Sequence, residues 1–377
     1  MIYAGLILTI YIFWRAILPT NLHWIYKLLL LGLLFGVSFK FHLLYYIGKP
    51  FFFAPEVPLW LLWTTSLLYA VVLIYFFILL FSDLLRLGIR LVRFLVTKKK
   101  MVVHKSSRNK MNLVLFVASL CLAIIGLYNG TSTPTIREQV IKSSNIPDAA
   151  NGIKIAVLAD LHADKMTRAD FMAQVVELTN SAKPDIIIIA GDSVDGALKD
   201  RFEDLLPLSG LQAPLGVFGA PGNHEYYSGY EDWMTYFKSL GIRMLSNEHQ
   251  ELSDNQLIIS GVADPAALMR NMEGPDVAKA IKGSNESFYR ILIAHNPKVG
   301  KDAQNNHIDL QVSGHTHGGL ILGFNQLVAA FNDGLVSGLY QRGETQIFVS
   351  NGSGIWNGFP IRLGVPAEIV ILTLQKQ

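Results

Sequence analysis

The chain has 377 residues, enough for two or three structural units. Its formal net charge of +3 conceals two unlike parts: residues 1–129 hold 13 Lys and Arg against 2 Asp and Glu, whereas residues 130–377 hold 19 against 27. The acidic balance of the second part argues against nucleic acid as its main partner. The single cysteine, Cys121, is interpreted as a small buried apolar residue, so no disulfide framework or thiolate metal cluster is expected.

Four apolar segments in the first part predict an all-α transmembrane bundle. Residues 57–82 and 111–128 carry no charged side chain, and their lengths suit the ~20 residues that cross a bilayer. Residues 2–18 and 24–47 are weaker, because Arg15 interrupts the first and Lys27, Lys40 and His42 lie in the second. Three spans are the alternative to four. None of the four segments contains Asp or Glu, which argues against a proton-conducting transporter.

The loop between the two strongest spans predicts the orientation of the chain. Residues 84–110 hold nine Lys and Arg, and the positive-inside rule places such a block in the cytoplasm. Within it, arginines spaced three or four apart over residues 84–96 predict an amphipathic helix on the inner membrane surface. We therefore expect a multi-pass protein of the plasma (inner) membrane. Everything after Asn129 would lie on the non-cytoplasmic side.

The second part reads as a layered α/β fold. After a linker with an edge strand at residues 130–151, short apolar β-branched segments such as 153–159 and 186–190 alternate with helical ones such as 170–182. The predicted organisation is a transmembrane domain at 1–129, the linker, and an α/β domain at 152–377.

Five short polar motifs follow apolar segments of this domain. They are Asp160-Leu161-His162, Gly191-Asp192-Ser193-Val194-Asp195, Gly222-Asn223-His224-Glu225, Ala294-His295-Asn296 and Gly314-His315-Thr316-His317. In the Asp-x-His and His-x-His spacings, two side chains of an extended segment point to the same side. A carboxylate has two oxygens and can bridge two ions. Carboxylates, a carboxamide and imidazoles gathered at strand ends are the ligands that two adjacent transition ions need.

The ordered set of motifs resembles the calcineurin-like metallophosphoesterase superfamily. The longer sequences at 222–229 and 314–319 resemble its membrane-associated bacterial branch and the transmembrane proteins with a metallophosphoesterase domain. The resemblance covers roughly residues 134–374 and implies a four-layer α/β/β/α sandwich with a dimetal centre at its strand ends. Two departures, Ala163-Asp164-Lys165 after the first motif and Leu320 after the last, bear on the substrate pocket and remove no metal ligand.

Carried over motif by motif, the resemblance implies a role for each polar residue. Asp160, His162 and His317 would bind one metal, Asn223, His295 and His315 the other, Asp192 would bridge the two, and His224 would be the catalytic acid. Asp195 and Glu225 are expected to lie behind the ligands, where they would either orient an imidazole or cap a loop. The implied cofactors are two divalent ions, Mn, Fe or Zn, about 3.5–4 Å apart, which lower the pKa of a bridging water that attacks phosphorus.

These features predict a membrane-anchored hydrolase of phosphate esters, phosphodiesters or pyrophosphates. We expect a lipid-linked substrate such as a phospholipid, because residues 320–339, just after the last motif, are unusually apolar and could guide an acyl chain. The competing interpretation of that segment is sheet packing. An anchored phosphatase for soluble phosphoesters or nucleotides is the alternative function, and an inactive membrane scaffold is a third possibility. The expected partners are the lipid bilayer and the phosphorylated substrate.

Overall fold

The computed structural model describes residues 2–48, 52, 54–98 and 105–377. The chain divides into two compact units, Met1–Tyr128 and Asn129–Gln377. The first unit is helical: α1 (Ile2–Ile12, continued by a π-helical turn at Phe13–Ile17), α2 (Trp24–Ser38), α3 (Lys40–Ile47), α4 (Leu59–Thr97) and α5 (Lys105–Thr131), which ends inside the second unit. Cys121 is exposed on α5 rather than buried as expected.

Two of these helices, α4 and α5, are long and apolar enough to cross a membrane. A third candidate is the pair α2 and α3, which are bent by 73° at their junction. The helical segment Ile2–Ile17 is apolar but shorter than the ~20 residues of a full crossing. The described part of the chain therefore contains two to three candidate spans and not clearly the four that the sequence predicted.

Helix α4 is longer than predicted. The apolar segment was expected to end at Ser82 and be followed by a separate amphipathic helix, but one continuous helix covers both. No proline interrupts residues 59–97, so the backbone hydrogen bonding continues where the composition changes. Asp83 consequently lies within the helix, directly after the acid-free segment.

Asp83 is neutralised inside the helical unit. Arg15 forms a two-pronged ion pair with it, at 2.5 Å through Nε and 2.7 Å through Nη2. The Tyr11 hydroxyl donates to the same carboxylate at 3.0 Å, and Arg15 Nη1 donates to Asn112 Oδ1 at 3.1 Å. One network thus joins α1, α4 and α5, which makes the acid a structural partner of Arg15.

Arg15→Met is expected to destabilise the protein by roughly 1–3 kcal/mol, because it leaves the Asp83 carboxylate without its closest partner. The measurement is the thermal unfolding of the full-length protein in detergent. Arg90→Met removes an exposed arginine from α4, the helix that carries Asp83, and is the matched control. Equal unfolding temperatures for the two variants would contradict a stabilising role for the network.

The second unit contains twelve described strands and seven described α-helices. The strands are β1 (Thr135–Ser143), β2 (Lys154–Leu158), β3 (Ile186–Ala190), β4 (Val217–Ala220), β5 (Arg243–Met244), β6 (Glu248–Leu252), β7 (Leu257–Gly261), β8 (Tyr289–Ile293), β9 (Leu310–Ser313), β10 (Gly338–Arg342), β11 (Thr345–Val349) and β12 (Glu368–Lys376). The helices are α6 (Ala169–Ser181), α7 (Leu198–Leu205), α8 (Asn223–Ser228), α9 (Tyr230–Ser239), α10 (Val277–Ala280), α11 (Gly300–Asn305) and α12 (Asn325–Phe331).

The strands form two six-stranded mixed sheets. The first has the order β1-β12-β2-β3-β4-β5, with β2 to β5 parallel and β12 antiparallel to β2. The second has the order β10-β11-β9-β8-β7-β6, with β7, β8, β9 and β11 parallel and antiparallel strands at both edges. Parallel strands align their carboxyl ends at one edge of a sheet, where α/β folds place ligand sites.

Three apolar clusters define the layers. The largest joins inward-facing residues of both sheets, such as Val157 and Ile188 of the first with Ile291 and Val312 of the second. A second cluster packs α6 and α9 on the outer face of the first sheet, and a third packs α10 and α11 against the second sheet. The second unit is thus a mixed α/β sandwich, in which two sheets face each other and helices cover them. In the sequence it is preceded by the helical region.

Candidate metal centre

The polar motifs follow five parallel strands at their carboxyl ends. Asp160 and His162 come after β2, and Asp192 and Asp195 come after β3. The other three strands, β4, β8 and β9, lead into Asn223 and His224, into His295, and into His315 and His317, respectively. Because the two sheets face each other, side chains from both meet above their shared core.

Asp192 lies at the centre of the cluster and is 3% exposed. Its Oδ1 accepts from the backbone N–H of His224 at 2.8 Å. Its Oδ2 lies 3.1 Å from His295 Nε2 and 3.9 Å from His162 Nε2. One carboxylate oxygen therefore faces imidazoles that the two sheets supply from opposite sides.

One ligand group contains Asp160, His162 and His317. The two imidazole Nε2 atoms are 3.2 Å apart, and His317 Nε2 lies 3.6 Å from Asp160 Oδ1. The backbone N–H of His315 donates to both oxygens of Asp160, at 3.0 and 3.1 Å, which fixes the orientation of that carboxylate.

A second ligand group contains Asp192, His295 and His315, with Asn223 beside it, and a third, overlapping group contains His162, Asp192 and His224. His315 Nδ1 lies 3.0 Å from Asn223 Oδ1 and 3.3 Å from His295 Nε2. The opposite ring nitrogen of His295, Nδ1, is 2.8 Å from the carbonyl of Ala190 and donates to it. That hydrogen bond leaves Nε2 directed at the centre.

Asp195 joins the rings of two histidines. Its Oδ2 lies 3.1 Å from His162 Nδ1, and its Oδ1 forms a short contact with His224 Nδ1. A carboxylate in this position holds both N–H groups and turns both Nε2 atoms towards the centre. His224 Nε2 lies 3.9 Å from Asp192 Oδ2, so His224 reaches the same space as the ligands.

Glu225 contacts backbone rather than imidazole. Its carboxylate accepts from the N–H groups of Asp192 at 3.0 Å, Ser193 at 2.6 Å and Gly222 at 2.7 Å. It thus ties the loop after β3 to the first turn of α8. Of the two roles expected for Glu225, the structure favours loop capping over the orientation of an imidazole.

Burial and close charges set the pKa values of the central acids. Burial alone would raise the pKa of Asp192, but the imidazoles of His295 and His224 hold it well below its usual value. Burial also opposes ionisation of Asp195, yet His224 and His162 lower its pKa to about 2. Burial raises the pKa of Asp160. Two of the three carboxylates are therefore held ionised, as metal ligands or their supports must be.

The pKa values of four histidines at the centre fall into two classes, raised and lowered. Burial would lower the pKa of His224, but Asp195 and Asp192 raise it to about 9. The pKa of His295 is likewise raised well above its usual value by Asp192, against the effect of burial. Burial lowers the pKa of His315 to about 4 and also lowers that of His317. The last two offer neutral imidazoles, while His224 carries a proton at neutral pH.

Close packing requires glycine at two positions beside the carboxylates. A Cβ at Gly222 would overlap the Asp192 side chain, and a Cβ at Gly314 would lie 2.5 Å from Asp160 Oδ2. Five ligand residues also have left-handed backbone conformations that are uncommon outside glycine: Asp160, His162, Asp192, His315 and His317, with φ between 49° and 74°. Such conformations cluster at functional sites, where surrounding contacts hold them.

Two residues near the centre were not singled out from the sequence. Arg362, 1% exposed, donates through Nη2 to the carbonyls of Asn351 at 2.7 Å and Gly354 at 2.8 Å, and lies 3.5 Å from His317 Nδ1. Asp264, 3% exposed, interacts electrostatically with His295, and burial raises its pKa to about 6. Both lie outside the five motifs, so only their contacts reveal them.

The donors fit divalent transition ions. His295 Nε2 and Asp192 Oδ2 face each other at 3.1 Å, and the raised pKa of His295 places a proton between them. A divalent cation that displaced this proton would meet a nitrogen and an oxygen already directed at it, because the opposite ring nitrogen donates to Ala190. A shared cation satisfies both atoms. The complete set offers imidazole nitrogens, carboxylate oxygens and one amide oxygen, which suits Mn, Fe or Zn.

Removal of divalent metal is expected to lower the unfolding temperature of the protein. At a free metal concentration about 100-fold above the dissociation constant, one bound ion stabilises by about 2.7 kcal/mol, equivalent to roughly 5–10 °C for a unit of this size. The measurement is thermal unfolding with and without a chelator. Asp192→Asn should reduce the chelator-dependent shift, and a wild-type unfolding temperature that ignores the chelator would contradict metal binding here.

Comparisons with known proteins agree with this geometry. The calcineurin-like phosphoesterase family matches residues 153–319. An uncharacterized metallophosphoesterase of Helicobacter pylori (strain ATCC 700392 / 26695) is 38% identical over 273 residues, 72% of each chain. A transmembrane protein with metallophosphoesterase domain from Danio rerio is 30% identical over 338 residues, covering 86% of this chain and 76% of that protein.

Among solved structures, a 5'-nucleotidase precursor from Thermus thermophilus matches with a TM-score of 0.36 and 13% identity. The match covers 59% of this chain and just over half, 54%, of that one. The family match and the relatives confirm the resemblance inferred from the motifs. The chain belongs to the calcineurin-like phosphoesterase family and is a metal-dependent phosphoesterase with an N-terminal helical region.

Proposed function

We propose that this protein hydrolyses a lipid-linked phosphoester or pyrophosphate at the non-cytoplasmic face of the membrane. The observation that carries the proposal is a set of exposed apolar side chains in the segment after the last metal motif, Leu322, Leu327 and Phe331, called here the apolar rim. These side chains are 73%, 56% and 69% exposed, respectively. Large apolar side chains clustered in water are costly, and such clusters mark lipid or protein contacts.

The apolar rim is tied to the metal centre through α12 and the turn before it. Residues His317–Gly319 form a short 3₁₀ turn that begins with a candidate ligand, and Leu322 follows three residues later. Helix α12 has no buried side chain. The competing expectation, that this segment packs on a sheet, applies to its C-terminal end, where Leu335 packs against Ile347 and Val349 of β11 and residues 338 and 339 begin β10.

The apolar rim is also linked to Asn129, the first residue of the second unit. Asn129, which belongs to the second unit, lies with its Nδ2 3.4 Å from the carbonyl of Arg362 and donates to it. The next residue of that loop, Leu363, exchanges backbone hydrogen bonds with the rim segment, at 2.8 Å to Leu322 and 2.9 Å to Leu320. Hydrogen bonds within the second unit thus link its first residue to the apolar rim.

The roles of the site residues in the proposal follow the two ligand groups. Asp160, His162 and His317 would hold one ion, Asn223, His295 and His315 the other, and Asp192 both. The ions supply polarisation of the phosphoryl oxygens and an activated water. His224, held protonated by Asp195, would donate its proton from Nε2 to the leaving oxygen, and Tyr227 and Trp356 flank its ring at centroid distances of 5.4 and 6.3 Å.

The test compares one protein on two substrates. Full-length protein would hydrolyse phosphatidic acid or a prenyl phosphate in vesicles, and a soluble aryl phosphodiester as reference. Replacing Leu322, Leu327 and Phe331 together by serine is expected to reduce the vesicle rate at least ~10-fold and to leave the soluble rate unchanged. Leu206→Ser, at another exposed leucine of the same unit, is the control.

Two outcomes would redirect the assignment. Vesicle activity unaffected by the three serines would overturn the role of the apolar rim. Hydrolysis of soluble phosphoesters with no turnover of any phosphorylated lipid would favour the anchored phosphatase for soluble substrates.

The proposed location, a multi-pass protein in the plasma (inner) membrane, rests on the nine Lys and Arg at residues 84–110 and on the candidate spans. A cysteine introduced at exposed position Asp254 in full-length protein should react with a membrane-impermeant maleimide added to intact spheroplasts. Labelling that occurs only after lysis would place Asp254 on the cytoplasmic side and contradict the proposed orientation.

A further inference from the structure

The helical unit forms a partly open cavity that the catalytic chemistry does not use. Its volume is about 410 Å³, within the ~300–1,000 Å³ typical of small-molecule sites. Its walls are mainly apolar and come from the end of the first helical segment and from α2, α4 and α5; Ala16, Leu34, Val71 and Phe116 are examples. An apolar cavity of this kind suits a hydrocarbon chain.

One wall of the cavity is polar. Asn109 and Asn112 both line it and lie three residues apart on α5, so their side chains share a helix face. The two asparagines present complementary groups, an N–H donor and a carbonyl acceptor.

The donor is the amide nitrogen of Asn112. This residue is only 6% exposed, and its Oδ1 already accepts from Arg15, which fixes Nδ2 as the remaining group. Nδ2 has no hydrogen-bond partner among the described residues. The acceptor is Asn109 Oδ1, which is buried and equally unpaired within the described ranges. Buried polar atoms without partners are rare in native structures and point to a missing group.

The charge of the surroundings limits the ligand. Arg15 is already neutralised by the two-pronged contact with Asp83, so Arg15 does not call for an anionic headgroup. A carboxylate or phosphate diester only accepts hydrogen bonds and would leave Asn109 Oδ1 unpaired. A hydroxyl both accepts and donates, and can therefore satisfy Asn112 Nδ2 and Asn109 Oδ1 together.

We propose that this cavity binds a single-chain lipid alcohol, with its hydrocarbon chain between the helices and its hydroxyl between Asn109 and Asn112. The site is separate from the metal centre, and the inference does not depend on the substrate proposed above.

The test uses full-length protein in lipid nanodiscs and a long-chain primary alcohol that carries a photoactivatable diazirine and an alkyne. Covalent labelling is mapped to peptides by mass spectrometry. The alcohol is expected to label peptides lining the cavity, and its methyl ether, which cannot donate, to label them roughly tenfold less. Equal labelling by alcohol and ether on the wild-type protein would overturn the role of the hydroxyl.

Variants test the location of the site. Asn112→Leu removes the donor, and Ala16→Phe fills the cavity; each should reduce labelling by the alcohol about tenfold. Ile124→Phe adds the same ring at a position on α5 that is 52% exposed and should label like wild type. Unchanged hydrolysis of a soluble aryl phosphodiester checks that each variant folds. Labelling that persists in a folded Ala16→Phe protein would overturn the site.

Discussion

Replacing Asp192 by asparagine is expected to reduce phosphoester hydrolysis roughly 10³-fold or more, because the amide retains the shape of the carboxylate and loses its charge and one acceptor oxygen. In the wild-type protein Oδ1 is occupied by the His224 N–H and Oδ2 faces His295 and His162. The amide can preserve the first contact, so the fold should survive. The second contact, through which Asp192 would hold both ions, is lost.

The measurement pairs the specificity constant on a soluble aryl phosphodiester with the metal content of the purified protein. Asp254→Asn makes the same chemical change at an exposed position of the same unit and should behave like wild type. Asp192→Asn protein that keeps two tightly bound ions and normal turnover would show that the carboxylate is not shared between them.

Replacing His224 by glutamine is expected to reduce turnover of an alkyl phosphoester about 10²–10⁴-fold, the usual contribution of a general acid. An aryl ester with a good leaving group needs little proton donation and should lose far less. The Nε2 of His224 lies near Asp192 and could also contact an ion. The ratio of the activity loss on the alkyl ester to the activity loss on the aryl ester distinguishes a proton donor from a metal ligand. Bound metal should remain at the wild-type level, and metal loss in this variant would make His224 a ligand instead.

The pH dependence has a definite sign. His224 acts as an acid only while protonated, and Asp195 and Asp192 raise its pKa to about 9 against the effect of burial. Activity on the alkyl ester should therefore fall as pH rises through that value, and bound cations would move the fall to lower pH. Asp195→Asn removes the nearest negative charge and should shift the fall further down. If activity declines at the same high pH in this variant as in the wild type, Asp195 does not raise the pKa of His224 as described.

Much of the site followed from the sequence because each ligand stands directly after a strand. The apolar β-branched segment at Ile186–Ala190 has the predicted bounds, and Asp192, two residues after it, reaches the centre. Each motif supplies one or two of the proposed metal ligands, so each can be recognised from a few adjacent residues.

The features that were missed depend on contacts between distant segments. Arg362 reaches Asn351 and His317 through a loop with no distinctive composition. Strands β6 and β10 are edge strands with polar residues on their open sides, so neither gives an apolar run. The left-handed φ of Asp160 and His162 accompanies backbone hydrogen bonds from these residues to Gly191 and Asp192, about 30 residues away in the chain.

The most direct test of the dimetal assignment is a titration of metal-free, full-length protein with Mn²⁺. Bound metal and hydrolysis of a soluble aryl phosphodiester would be followed in the same samples, with Asp192→Asn beside them. We predict that turnover appears with the ions and reaches its limit at two per chain. Turnover that is complete without metal, or a protein that binds no ion at these ligands, would contradict the account.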